Sequence, residues 1–428
     1  MANDLLSRDE ALVWHPFSPL KNTRLLPAAR AQGNYIELTD GRKLFDAISS
    51  WWVNLHGHNH PAIVRAIQEQ AAKMQHIIFA GFTHEPAVQL AERIEERLPA
   101  GSHRYFFSDN GSTATEVALK LAVQYFHNRG ATRQRILAFR GAYHGDTFGA
   151  MAVSGDSVFH RPFRDMLFEV CLLDPPATGD VGKTLGQLRH HLRQGPIAAF
   201  IYEPLVMGAG GMKMLNPADL SQLLAKAREE DILLIADEVM TGFGRTGTLF
   251  ASEQCAPWPD LLCLSKGITG GALPLGLSVV GERIWRAFDS ADREKTFLHG
   301  HSYTGNPLAC AAAVASWDVT TQNATEARIA AISAAQADFA GRIRAAQCVE
   351  LYPRHKGTLL ALDLPSTDAG YLSQRGPEIY SYFLERDLLI RPLGNTLYLM
   401  PPYTATAEEL QRCYNAIETF LRQEKLLS

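Results

Sequence analysis

The sequence predicts an α/β fold, with a mostly parallel sheet in a large domain and a smaller α+β domain behind it. Three observations predict this. Short, continuous apolar runs recur between residues 104 and 280, the pattern of strands buried on both faces. Helical stretches separate those runs, as parallel strands require for their crossovers. Beyond residue 320 the pattern changes to long helices interleaved with a few short strands.

Seven runs read as strands of the large sheet: 104–108, 135–140, 168–173, 197–202, 232–236, 261–264 and 276–280. Ile232-Leu233-Leu234-Ile235-Ala236 is the clearest, with no polar residue to mark a solvent face. Pro61 opens a helix, where its missing N–H costs nothing, and a second helix covers 84–98 and ends before Pro99. The stretch Ala114–His127 repeats Val117, Leu121 and Tyr125 at helical spacing. Leu308–Val319 is an alanine-rich helix. Helices are expected at 322–346, 372–386 and 407–425, and small-domain strands at 358–363, 388–391 and 396–399. Near the start, Thr39-Asp40-Gly41-Arg42 between two short apolar runs marks a hairpin. The expected division is an N-terminal segment, 1–55, that joins the small domain, a large domain, 56–320, and a C-terminal small domain, 321–428.

With 46% hydrophobic and 20% charged residues, the chain has the balance of a soluble globular protein. A formal charge of −4 offers no basic face for nucleic acid. No apolar run approaches the roughly 20 residues that span a bilayer, and the first residues lack the basic and apolar regions of a signal peptide. A cytoplasmic location is expected. Cysteines 171, 255, 263, 310, 348 and 413 contain no CxxC pair, so neither zinc nor a disulfide framework is indicated. His56, His58 and His60 alternate in a Gly/Asn/Pro-rich turn without cysteine or an acidic cluster nearby, and no metal is expected there.

The chemistry concentrates at strand exits. Asp237 and Glu238 follow the run 232–236, and Ser265-Lys266-Gly267 follows the run 261–264. In open α/β sheets the carboxyl ends of strands line the ligand crevice. An acid and a lysine delivered there suit pyridoxal 5'-phosphate, the lysine for covalent attachment and the acid for the pyridine nitrogen. Gly267, Gly270 and Gly271 would let the backbone approach a planar ligand. Asp109-Asn110-Gly111-Ser112-Thr113 stands at a helix N-terminus, where free N–H groups can take a phosphate. Tyr143-His144-Gly145 could stack on a ring. Tyr202-Glu203-Pro204 leads into a flexible glycine loop, 207–212, and Arg245 is placed to meet a carboxylate in its fork geometry. Two other classes compete with this reading. A nucleotide-binding α/β protein would carry GxGxxG or GxxxxGK[ST] after the first strand of the sheet, and neither is there. A non-catalytic module would not need the Lys266–Asp237 pair.

Together these residues resemble the class III aminotransferases of pyridoxal-phosphate fold type I (aspartate aminotransferase-like), over nearly the whole chain. Asp109-Asn110-Gly111-Ser112, Tyr143-His144-Gly145, Ala236-Asp237-Glu238-Val239, Ser265-Lys266-Gly267 and Thr304-Gly305-Asn306-Pro307 carry the resemblance. Trp14-His15-Pro16, Ser49-Ser50-Trp51-Trp52, Tyr143-His144-Gly145-Asp146-Thr147 and Arg391-Pro392-Leu393-Gly394 are similar to the branch of that family that acts on 8-amino-7-oxononanoate. The resemblance implies that Lys266 holds the coenzyme and carries the proton, that Asp237 keeps the pyridine nitrogen protonated, and that Tyr143 stacks on the ring. It implies that Gly111 and Ser112 hold the phosphate, joined by Gly300, His301 and Ser302 from the partner subunit of a homodimer with shared sites. It implies a substrate pocket of Phe17, Trp51, Tyr143, Arg245, Gly300 and Arg391, with Arg391 on the substrate carboxylate. Several members that use S-adenosylmethionine as donor have Tyr where this chain has Phe17, while others use lysine, and both donors stay open. A broad omega-amino acid or diamine:pyruvate aminotransferase is the alternative within the class.

Overall fold

The computed structural model describes residues 2–21, 23–155, 158–346, 351–368 and 370–427; Cys348 lies outside them. The first strands are β1 (Ala28–Gln32), β2 (Tyr35–Leu38) and β3 (Lys43–Asp46). The large sheet uses β4 (His103–Ser108), β5 (Arg135–Phe139), β6 (Cys171–Leu173), β7 (Ile197–Tyr202), β10 (Leu233–Asp237), β11 (Leu261–Leu264) and β12 (Gly276–Gly281). Between them β8 (Val206–Met207) and β9 (Lys213–Met214) pair as a short hairpin. The small domain carries β13 (Arg354–Lys356), β14 (Leu359–Asp363), β15 (Leu388–Leu389) and β16 (Thr396–Leu399).

The large sheet has the order β4-β12-β11-β10-β7-β5-β6. Only β12 is reversed, antiparallel to both β11 and β4. Successive side chains of a strand face opposite ways, and β10 shows why its run must be apolar throughout. Leu233 and Ile235 pack against the helix Gly111–Asn128, while Leu234 and Ala236 pack into the core on the other face. Val117, Leu121 and Tyr125 of that helix are buried as their spacing predicts. The edge strand β6 is shorter than its apolar run, and Phe168 stands exposed outside it.

The Asp40-Gly41 hairpin forms between β2 and β3 in the expected register. β3 then pairs in parallel with β15 from the far end of the chain. Arg42 fixes the junction by donating to Asp387 Oδ1 and to the Leu384 carbonyl. The last sheet, β13-β14-β16, is covered by the helices Asn323–Ala345 and Ala407–Gln423. Phe339 of one stacks on Tyr414 of the other at 4.4 Å. β13 is Arg-His-Lys, so no apolar signal could announce it. Arg391 falls just past β15 rather than within a strand.

Candidate active site

A cavity of about 490 Å³ opens at the carboxyl ends of β5, β7, β10 and β11, the crevice expected of an open α/β sheet and of a size to hold a small ligand. Lys266, Asp237, Tyr143, Gly111 and Ser112 stand on its floor and walls, together with Phe17 and Trp51 from the N-terminal segment. Residues as distant in the chain as Phe17 and Lys266 thus meet at one site.

Asp237 is held from two directions. His144 Nδ1 lies 2.6 Å from Asp237 Oδ2, and the Val239 N–H donates to Oδ1 at 3.0 Å. The carboxylate is therefore fixed in orientation by a charge-assisted bond and a backbone bond. Glu203 approaches from β7, accepting from the N–H groups of Tyr143 and Gly208 at 3.0 and 2.8 Å. Burial pushes its pKa up to about 7; His144 opposes that rise, and Asp237 adds to it. Burial also lowers the pKa of Lys266, against the pull of Asp237 and Glu203. A lysine displaced toward its neutral form can act as nucleophile and proton carrier. Its backbone is left-handed, with φ +46°, and its Nζ lies 5.0 Å over the Trp52 ring.

The phosphate end is built on the helix Gly111–Asn128. Asn110 caps it, accepting from the Thr113 N–H, and Thr113 returns a bond. The first helical N–H groups, on Gly111 and Ser112, have no intrahelical acceptor and sit at the positive end of the dipole. Space is left there by glycine: a Cβ on Gly111 would stand 2.7 Å from Val239, and one on Gly145 would strike Ser112 Oγ. Tyr143 donates from its hydroxyl to Asp146 at 2.9 Å, and burial raises its pKa. An acid, a lysine, an anion cradle and an aromatic ring around one cavity fit a phosphorylated pyridine.

The opposite wall is unusual in its backbone. Ser49, Ser50, Trp51 and Trp52 all have positive φ, +51°, +44°, +72° and +79°. Left-handed backbone costs a non-glycine residue about 1–2 kcal/mol, so four in succession need strong external support. Trp52 donates from Nε1 to Tyr398 at 3.0 Å, and Ser49 Oγ donates to the Met400 carbonyl at 2.8 Å. Trp51 packs on Phe17 at 5.2 Å and carries the Arg391 guanidinium over its ring at 4.8 Å. Arg391 also stands beside Tyr371, a cavity residue.

Several expectations need correction. Arg245 does not reach the cavity. It is fully buried beneath the tryptophan turn, donating to the carbonyls of Pro401 and Trp52 and lying 5.1 Å over the Tyr403 ring. Both terminal nitrogens of its fork point to backbone carbonyls in the interior, away from the cavity. Gly267 and Gly270 are close to protein rather than to the cavity, a Cβ on each meeting Leu55 and Ile63; Gly271 does line the cavity, with Asn54 packed on its other side. The glycine loop is a half-buried hairpin, closed by Met212 N–H on the Gly208 carbonyl. Gly300, His301 and Ser302 lie off the cavity, in a turn that His301 N–H closes on Thr304 Oγ1. His58 bonds Asp46, and His56 faces Ser316 and Thr320, with burial taking its pKa down to about 3. Glu203, Tyr371 and Phe159 join the site without having been expected there. Glu203 had a signal, an acid at the exit of a buried run; Tyr371 and Phe159 sit in irregular segments with none.

The model of the family described as Aminotransferase class-III matches residues 18–421. The chain is 49% identical over 96% of its length to the adenosylmethionine-8-amino-7-oxononanoate aminotransferase of Synechococcus elongatus, covering 98% of that protein. The crystal structure of the enzyme of the same name from Methanocaldococcus jannaschii superposes with a TM-score of 0.91 at 31% identity, covering 98% of this chain and 99% of that one. An amine transaminase from an uncultivated Pseudomonas species, solved with pyridoxal phosphate bound, gives 0.87 at 33% identity, over 95% and 97%.

Proposed function

The chain belongs to the class III aminotransferases, and on that premise we propose that it converts 8-amino-7-oxononanoate to 7,8-diaminononanoate in biotin biosynthesis. The observation that carries this reading is its likeness, over almost its whole length, to a relative named for that substrate. The enzyme is a transaminase that depends on pyridoxal 5'-phosphate. S-adenosylmethionine is the proposed donor and lysine the other candidate, since Phe17 lines the cavity without a hydroxyl to offer either. In this reading the enzyme works in the cytoplasm, on small-molecule substrates, as a homodimer that shares its sites. Among the described residues no helix is long and apolar enough to cross a membrane.

When bound, the coenzyme supplies an electron sink conjugated to the carbon that loses its proton. The chain's residues do the rest. Gly111 and Ser112 offer backbone N–H groups to the phosphate. Asp237, locked by His144 and Val239, presents a carboxylate to the pyridine nitrogen and keeps it protonated. Lys266 Nζ would anchor the coenzyme and, once the donor amine has displaced it, would carry the proton between the donor carbon and the coenzyme. Tyr143 covers the ring face. The substrate's hydrocarbon chain runs along Trp51, and its carboxylate meets Arg391, which a fork of parallel N–H donors suits.

The test is direct. Purified protein is incubated with 8-amino-7-oxononanoate and each donor separately, and the diamine is detected by mass spectrometry. Diamine formed with one donor only identifies that donor. Turnover of simple diamines or beta-alanine with pyruvate, and none of the oxononanoate, would replace this reading with the broader omega-aminotransferase.

A further inference from the structure

The left-handed turn that presents Trp51 and Trp52 is held by a carboxylate that never enters the cavity. Asp46, the last residue of β3, is fully buried. Its Oδ1 accepts from the N–H of Ser50 at 2.9 Å and of Ile48 at 3.4 Å. Its Oδ2 accepts from Ser50 Oγ at 2.9 Å and faces His58 Nε2 at the same distance. Asn54 Nδ2 in turn lies 3.0 Å from His58 Nδ1. Three of the four contacts are to the turn and its entry, and the fourth is a ring tied to Asn54, just past it.

The helical curl of that turn has a geometric consequence. In an extended chain, neighbouring side chains face opposite ways, and one tryptophan would leave the cavity. In a helical turn of either hand they are set about 100° apart, so adjacent rings can form adjoining walls. Both rings do line the cavity. Each also carries a cation over its ring: Arg391 stands on Trp51 and Lys266 Nζ on Trp52. The backbone between two consecutive residues thereby sets the relation between the carboxylate-binding end and the reacting end.

We propose that Asp46 is a positioning residue of this enzyme: by pinning the left-handed turn 49–52 it fixes the span between Arg391 and Lys266 and so selects the length of the substrate chain. This rests on the substrate reading given above. Residues that contact the substrate set how tightly a chain is held; Asp46 sets which length reaches both ends at once.

The experiment measures kcat and KM for 8-amino-7-oxononanoate and for analogues shortened by one and two methylenes, in the coenzyme-loaded enzyme. Wild type should prefer the full-length chain over the shortest by at least tenfold in kcat/KM. In Asp46→Ala that ratio should fall below threefold, chiefly through KM, with the visible absorbance of the coenzyme unchanged. Adding Ser50→Gly to Asp46→Ala should restore part of the ratio, because glycine adopts positive φ without a steric penalty. If Asp46→Ala does not fold, Asp46→Asn and Ser50→Ala carry the same comparison, each weakening the contacts at Oδ2. An equal loss for every chain length, or an unchanged length ratio, would overturn the proposal. Wild type that ignores 8-amino-7-oxononanoate would instead overturn the substrate reading. Omega-amino acids of graded length then supply the same ratio, and a ratio that Asp46→Ala leaves unchanged would still overturn the role of Asp46.

Discussion

Replacing Arg391 with alanine separates its proposed hold on the substrate carboxylate from its support of the Trp51 ring. The guanidinium lies over Trp51 at 4.8 Å, and the phenols of Tyr371, Tyr380 and Tyr398 are among its neighbours. A half-buried cation among rings is poised for an anion that the substrate brings. Losing a charge-assisted partner for that anion costs about 2–4 kcal/mol, which at 1.36 kcal/mol per decade is roughly 30- to 900-fold in kcat/KM. Losing the cation's support of the Trp51 ring costs about 0.5–1 kcal/mol, at most about fivefold, and falls on every substrate alike. Arg391→Ala should therefore reduce kcat/KM for 8-amino-7-oxononanoate at least 30-fold. An analogue with methyl in place of the carboxylate should lose no more than about fivefold. Arg391→Lys, which keeps the charge and loses the fork, should fall between. Steady-state kinetics on the two substrates decides the matter: equal penalties would mean that Arg391 only props the tryptophan wall.

Lys266→Ala should abolish transamination while coenzyme stays bound without a covalent link, since the Gly111 and Ser112 N–H groups survive; dialysis and visible absorbance check retention, and activity within tenfold of wild type would refute the assignment. Asp237→Asn should cost more in turnover than in coenzyme affinity, by about 3 kcal/mol or a hundredfold, because an amide no longer favours the charged pyridine and loses the bond pairing with His144. Glu203 has a folded pKa of about 7 against an ordinary 4.5, so its contribution to stability is present below pH 4.5 and is lost as pH rises through 7. Glu203→Gln cannot ionise, and between pH 5 and 8 its melting temperature should hold while that of wild type falls, the full difference being roughly 3 kcal/mol; parallel pH curves would show that Glu203 does not titrate there. Mixing inactive Lys266→Ala subunits with inactive Ser302-damaged subunits should restore activity through hybrid dimers, and no recovery after proven subunit exchange would count against shared sites.

The large sheet was legible because a strand buried on both faces leaves an uninterrupted apolar run, and β10 and β11 end where Asp237 and Lys266 begin. Strand direction leaves no such mark, and nothing in Leu277-Ser278-Val279 told that β12 runs against its neighbours. Glu203 reads in the sequence only as an acid after a strand. Its significance lies in complete burial between two backbone donors, which depends on a hairpin of glycines folding over it. Arg245 misled for a related reason. A motif arginine beside a catalytic strand looks available, and only the packed structure shows it fully buried, with its terminal nitrogens turned to the Pro401 and Trp52 carbonyls. Positive φ at serine and tryptophan is equally silent in a sequence, because the glycine that usually announces it is absent.

The two halves of the site come from different parts of the chain, and this bears on how relatives with other substrates share its scaffold. The reacting half is delivered by strand ends of one sheet, where a shift of any strand would disturb a packed core on both faces. The proposed selecting half comes from Phe17, the turn 49–52, Tyr371 and Arg391, joined through contacts that include the pairing of β3 with β15 and the bonds of the turn to Tyr398 and Met400. An amine transaminase therefore superposes on this chain at a TM-score of 0.87 with 33% identity, since the fold preserves chemistry and leaves specificity to its walls. Exchanging the segment around 49–52 for that of such a relative should change the preferred chain length and leave the coenzyme's attachment to Lys266 intact. A chimera that loses coenzyme as readily as it loses the oxononanoate would show that the two halves are coupled more tightly than their separate origins suggest.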